Sequence, residues 1–200
     1  PANAPLSMAE RLDPTVHAAL ARSLGSLSHA SALMATLDWA LHLAASPGQR
    51  MDLAHLALRQ GQEMAAYALA RMAAGPDKEA RHAVATPTQD RRFADPAWQQ
   101  WPFNLLHQSF VLSEQWWAAA THGVWGVDKH HEDMVAFAAR QFLDIFSPGN
   151  QVATNPVVLN RTLQQGGANL MRGALHLLED ARRRAEGAPP AGVEDFVVGR

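Results

Sequence analysis

Cysteine is absent from these 200 residues, and tyrosine occurs once. Without a thiol, this stretch holds no disulfide framework, no Cys-ligated zinc and no cysteine nucleophile. Charge is sparse as well, at 18% of residues against about 25% in ordinary globular proteins. Neither sign dominates, and the formal net charge is −2. A nucleic-acid binder normally carries a basic patch and a high isoelectric point, so this balance argues against that class. Long apolar runs are missing too. Ala32 to Ala45 comes closest but is broken by Asp38 and His42, short of the ~18 residues of a membrane span. Pro1 to Glu10 lack the basic and apolar regions of a secretory signal.

Alanine is abundant, with 38 positions. It loses least on entering a helix, so its excess points to helices. Apolar residues make up 48% of the chain, which excludes bulk disorder. A chain of this length buries roughly 70% of its unfolded surface.

The spacing predicts an all-α fold. A short helix is expected from Thr15 to Leu24, after the cap-and-first-turn pair Asp13-Pro14. A second runs from Leu27 to Ala45, with Leu33, Leu37, Ala40, Leu41 and Ala44 on one face, and Ser46-Pro47-Gly48 stops it. A third covers Arg50 to Ala73, with Leu53, Leu56, Met64 and Tyr67 as its buried stripe. Pro102 opens another, whose stripe is Phe103, Leu106, Phe110, Trp117 and Ala120. Asp128 to Phe146 follows, carrying Val135, Ala138, Phe142 and Ile145. Asn155-Pro156 opens a last helix, with Leu159, Leu163, Leu170, Ala174 and Leu177 facing one way and three arginines near its end.

Composition shifts give the domain boundaries. Residues 1–75 read as a helical extension and 76–89 as a linker. Residues 90–185 form a second helical domain, and 186–192 a Gly-Ala-Pro-Pro-Ala-Gly linker. Residues 193–200 contain Phe196-Val197-Val198, three β-formers that read as the opening of a further domain.

Motifs for chemistry are few. His130-His131-Glu132-Asp133 is the tightest histidine cluster, but Val135 stands four residues after His131 where a zincin helix needs its second histidine. A polar first helical turn, with acids near the positive end of the dipole, accounts for it better. The sequence has no Gly-x-Ser-x-Gly elbow and no phosphate-binding glycine loop. Gly166-Gly167 interrupts a helical pattern, as close packing or a kink would. No catalytic residue, metal or cofactor is therefore expected. The unusual feature is five tryptophans in one short stretch: Trp98, Trp101, Trp116, Trp117 and Trp125. An aromatic core under the Trp101 loop would explain them. So would an exposed patch that touches a partner, a lipid or a polymer surface. Trp116 and Trp117 are adjacent and cannot share one helix face, so one of them is expected at an edge.

Specific runs carry a resemblance. Arg91-Arg92-Phe93-Ala94-Asp95-Pro96-Ala97-Trp98, then Pro102-Phe103 and Gln108-Ser109-Phe110, resemble the N-terminal region of polyhydroxyalkanoate (poly-β-hydroxybutyrate) synthases. Ser147-Pro148-Gly149-Asn150, Ala153-Thr154-Asn155-Pro156, Gly166-Gly167-Ala168-Asn169-Leu170 and Leu177-Leu178-Glu179-Asp180 are similar to the same region, in the same order. Leu37 to Gly48 resembles an extension found in part of that family. The resemblance implies a cytoplasmic acyltransferase that polymerises (R)-3-hydroxyacyl-CoA into a storage polyester and releases CoA. Its catalytic domain, an α/β-hydrolase fold with a Cys nucleophile, Asp and His, would follow the last residue here. The N-terminal region would then be non-catalytic. It would support that domain, homodimer formation and association with the polyester granule, with the five tryptophans as candidate contacts. A free-standing helical module that binds granules or a synthase is the alternative. A small metal- or phosphate-dependent enzyme built on His130-His131 is a third.

Overall fold

The structure is a computed structural model, and it describes residues 7–8, 12–16, 29–74 and 91–189. Among these residues every regular element is a helix, in agreement with the all-α expectation. Six α-helices follow one another: α1 (His29–Ala44), α2 (Pro47–Ala74), α3 (Phe103–Thr121), α4 (Lys129–Ile145), α5 (Pro156–Gln164) and α6 (Ala168–Ala185). Short 3₁₀ turns stand at Pro96–Gln99 and Pro148–Asn150. Of the helix expected from Thr15 to Leu24, only the start is described, where Leu12–Val16 are helical. The linker at 76–89 and the segment at 193–200 lie outside the described residues.

The chain divides into two compact units. One comprises Pro1–Thr86 and Gln108–Ser147, the other Pro87–His107 and Pro148–Arg200.

In the first unit, α2 buries Leu53, Gln60 and Tyr67 at seven-residue spacing, with Leu56 and Met64 half-buried. This is the stripe its periodicity predicts. α3 buries Phe110, Val111, Leu112 and Ala120. Two polar side chains clasp the pair. Gln60 Nε2 donates to the Leu112 carbonyl at 3.2 Å, and Trp116 Nε1 donates to the Leu53 carbonyl at 3.2 Å. The last carbonyls of a helix have no partner within it. Here Trp39 Nε1 donates to the Ala120 carbonyl at 2.9 Å, and Gln49 Nε2 to the Ala119 carbonyl at 3.1 Å.

On two helices the packing selects which face is covered. On α1 the structure buries Ala35 and half-buries Asp38, Trp39, His42 and Leu43. Leu33, Leu37, Ala40, Leu41 and Ala44 face outward instead. The Trp39 bond and the bonds of Asp38 select this face, because rolling the helix would break them. On α4, Val135 is buried as expected, but Ala138, Phe142 and Ile145 are exposed. Phe142 packs on Phe146 at 4.8 Å between ring centroids.

The second unit is organised by aromatic packing and helix caps. Asp95 caps the Pro96–Gln99 turn by accepting from the Ala97 N–H at 2.8 Å. That turn buries Trp98, whose ring meets Phe93 edge-on at 4.8 Å. Phe93 also stacks on His107 at 4.4 Å. The turn packs against α5. Asn155 caps α5 by accepting from the Val157 and Val158 N–H groups at 3.0 and 3.2 Å, while its amide donates to the Gly149 carbonyl.

The last helix is corrected from one to two. Gly166 and Gly167 take φ of 53° and 85°. Gly167 N donates to the Thr162 carbonyl at 2.9 Å and Gly166 N to the Leu163 carbonyl at 3.3 Å. This is a Schellman closure, which terminates α5 outright. The stripe from Leu159 to Leu177 is therefore not continuous, and Leu163, Leu170 and Leu177 are exposed.

Candidate functional site

The five tryptophans fall into three environments. Trp98 is 1% exposed and sits in the second unit's core, with Phe93 and Phe103 around it. For Trp98 the structure replaces surface contact with packing. Trp116 and Trp117 are half-buried and meet edge-on at 5.4 Å. Trp116 turns toward α2 and spends its N–H on Leu53, so it is a clasp as well as a surface group. Trp101 and Trp125 are 68% and 88% exposed.

The backbone explains how Trp125 is presented. Gly123 and Gly126 both adopt positive φ, 69° and 91°, a region open to glycine at little cost. Between them Val124 is buried and anchors the turn, so its neighbour points away. Gly123 N donates to Glu132 Oε2 at 2.7 Å, which ties the turn to the first turn of α4. At Gly126 a Cβ would fall 2.5 Å from His42 Cδ2, so this glycine also makes room for the imidazole.

Beside the turn lies a polar cluster. His130 to Asp133 form the first turn of α4, capped by Asp128, whose carboxylate accepts from the His130 and His131 N–H groups. Asp38 on α1 approaches from across the unit. Its Oδ2 lies 2.7 Å from His131 Nδ1 and accepts from the Asp128 N–H at 3.2 Å. Its Oδ1 lies 3.0 Å from His42 Nδ1. The hydrogen bond from His131, then that from the Asp128 N–H, then the nearby His42, hold the Asp38 carboxyl below the usual carboxylate range. Lys129 donates to Glu132 at 3.0 Å and to Asp133 at 2.6 Å. Asp133 first and Glu132 second raise the Lys129 pKa, and Lys129 with the Gly123 N–H lowers that of Glu132.

Asp38 and His131 were not legible as a pair. Asp38 reads in the sequence as a break in an apolar run, and nothing local links it to a residue 93 positions away. The bonds of the cluster fasten α1 to α4. Among the described residues no set of three His, Asp or Glu side chains gathers as metal ligands. No described helix is long and apolar enough to cross a membrane.

A shallow groove between α2 and α3 has a volume of 330 Å³. Ala57, Gly61 and Ser109 leave it open, and Met64, Trp116 and Trp117 give it apolar walls.

Comparison with known proteins gives these features a family. Residues 89–200 match the family described as poly-beta-hydroxybutyrate polymerase (PhaC) N-terminus. Residues 7–49 match a second, poly-beta-hydroxybutyrate polymerase N terminal. A poly(3-hydroxyalkanoate) polymerase of Methylorubrum extorquens is 43% identical over 98 residues, 48% of this chain and 16% of that protein. The polymerase subunit PhaC of Rhizobium meliloti (strain 1021) is 35% identical over 92 residues, 46% of this chain and 15% of its own length. That of Cupriavidus necator is 31% identical over 98 residues, again 48% and 16%. The matched stretch thus spans less than a fifth of these relatives. No solved structure matches this chain. With 89–200 covering more than half of its length, the chain belongs to the poly-β-hydroxybutyrate polymerase family and corresponds to that family's N-terminal region.

Proposed function

We propose that this chain is the non-catalytic, helical assembly region of a polyhydroxyalkanoate polymerase. The parent enzyme would polymerise (R)-3-hydroxyacyl-CoA into polyester and release CoA, using an α/β-hydrolase domain beyond these residues. This region would support that domain, contribute to a homodimer, and meet the surface of the cytoplasmic polyester granule. The family match over residues 89–200 carries the reading. The outward position of Trp101 and Trp125 supports the granule role, because large aromatic rings favour the boundary between water and an apolar phase.

Two assays test it. The chain alone, given (R)-3-hydroxybutyryl-CoA, is expected to release no CoA, and turnover by pure protein overturns the assembly reading. Mixed with isolated polyester granules, it is expected to co-sediment, and Trp101→Ala with Trp125→Ala to reduce that binding several-fold. The second reading, a free-standing module that coats granules or binds a polymerase, draws on the same two tryptophans. The mass of the natural gene product separates the readings: a product no larger than this chain favours the module.

A further inference from the structure

A single stretch of α1 touches both ends and the middle of the connection between α3 and α4. At the end of α3, Trp39 Nε1 donates to the Ala120 carbonyl. In the middle, His42 lies against Gly126, so close that a Cβ there would stand 2.5 Å from its Cδ2 and 2.9 Å from its Nε2. At the start of α4, Asp38 accepts the N–H of the cap residue Asp128 and meets His131 in the first turn. Asp38 and His42 are neighbours one helical turn apart. The Asp38 carboxylate, 3.0 Å from His42 Nδ1, also holds the imidazole in place.

The connection needs such support. Gly123 and Gly126 both take positive φ, and glycine has more backbone freedom to lose on folding than any other residue. The N–H groups of the turn bond in three directions: Gly123 to Glu132 on α4, Val127 back to the Val124 carbonyl, and Asp128 to Asp38 on α1. The two matched family segments meet at this point. Helix α1 falls within residues 7–49 and the connection within residues 89–200, yet both belong to one compact unit. We infer that α1 is a positioning element for the turn at 123–128: Asp38 and His42 hold it in one conformation and so fix the direction in which Trp125 is presented. The first segment thereby acts on the surface that Trp125 meets without touching that surface itself. This consequence rests on the granule contact proposed above, whereas the conformation of the turn is read separately.

The full chain carries the test, with His42→Ala and Asp38→Ala each checked for unchanged helical circular dichroism. His42, its side chain 40% exposed, is the gentler change and decides alone if Asp38→Ala does not fold. Amide exchange by NMR is read at Gly123, whose acceptor is Glu132 on α4 and not a residue of α1. Both the Gly123 and Asp128 N–H groups are expected to lose protection, by about tenfold. Full protection at Gly123 in the folded variants overturns the role given to α1, because α4 would then hold the turn alone. Gly126→Ala tests the same contact from the other side. Its loss of Gly123 protection is expected to be smaller when His42→Ala makes room for the methyl group, and a loss that simply adds to that of His42→Ala counts against the contact. In granule sedimentation, His42→Ala is expected to reduce binding several-fold with Trp125 in place and to change nothing further in a Trp125→Ala background. An undiminished effect in that background overturns the path through Trp125. If Trp125→Ala leaves granule binding intact while Gly123 loses protection in His42→Ala, the granule contact fails and the positioning by α1 stands.

Discussion

His131 Nδ1 stands 2.7 Å from Asp38 Oδ2, and this contact joins α4 to α1 across 93 residues of chain. Asp38 also accepts the backbone N–H of Asp128, so the α4 cap and the α1 carboxylate are held in one network. The unit responds to acid accordingly. Folding lowers the Asp38 pKa, chiefly through the His131 hydrogen bond. A depressed carboxylate stabilises the fold fully above its unfolded pKa of about 3.9 and loses that contribution as pH falls through the folded value. The urea midpoint is expected to drop in acid, below about pH 4. Asp38→Asn should have a lower midpoint at neutral pH and a flatter acid limb, with Glu132 supplying what slope remains. Urea titrations across this range check it, and an unchanged acid limb in the variant refutes the role given to Asp38.

The Trp125 turn tests backbone and space separately. At Gly123, with φ of 69° and nothing within 4 Å of an added Cβ, alanine meets only conformational strain, about 1 kcal/mol. At Gly126 the same strain is joined by the clash with His42, for a total of about 2–3 kcal/mol. Chemical denaturation should therefore rank Gly126→Ala as the more damaging. Equal losses would mean that His42 gives way freely.

Trp98 and Trp125 are opposites. Removing the buried ring, Trp98→Ala, is expected to cost about 3–5 kcal/mol through the cavity left beside Phe93. Trp125→Ala is expected to stay within about 0.5 kcal/mol, because the ring already faces water. Denaturation of both variants decides, and a large loss at Trp125 would show that its ring is buried in solution.

The end of α3 depends on side chains from elsewhere in the chain. Trp39→Phe removes the donor to the Ala120 carbonyl and Gln49→Ala the donor to the Ala119 carbonyl. Each is expected to cost about 0.5–1.5 kcal/mol. The bonds satisfy neighbouring carbonyls of one turn, so the double variant should depart from the sum of the singles. Additive losses in a double-mutant cycle would mean that the two caps act independently.

Sequence alone determined what is encoded within a few residues. Asp95, Asp128 and Asn155 each stand where a cap stops unpaired N–H groups, and helices begin after all three. The α2 stripe was legible because Leu53, Leu56, Met64 and Tyr67 are apolar at helical spacing. The family was legible too, since it rests on runs of residues in a fixed order. On α1 the same reasoning put Leu33, Leu37, Ala40, Leu41 and Ala44 on one face, and that face points outward. Periodicity marks which residues share a face, but the direction that face points is set by partners far along the chain: the Ala120 carbonyl for Trp39, and His131 for Asp38. Gly166-Gly167 ended a helix because two successive positive φ values allow a Schellman closure, where the pattern alone also permitted a kink. Among the tryptophans, only tertiary packing separated Trp98 from Trp125. One ring lies where Phe93 and Phe103 exclude water, and the other stands on a turn whose anchor is its neighbour, Val124.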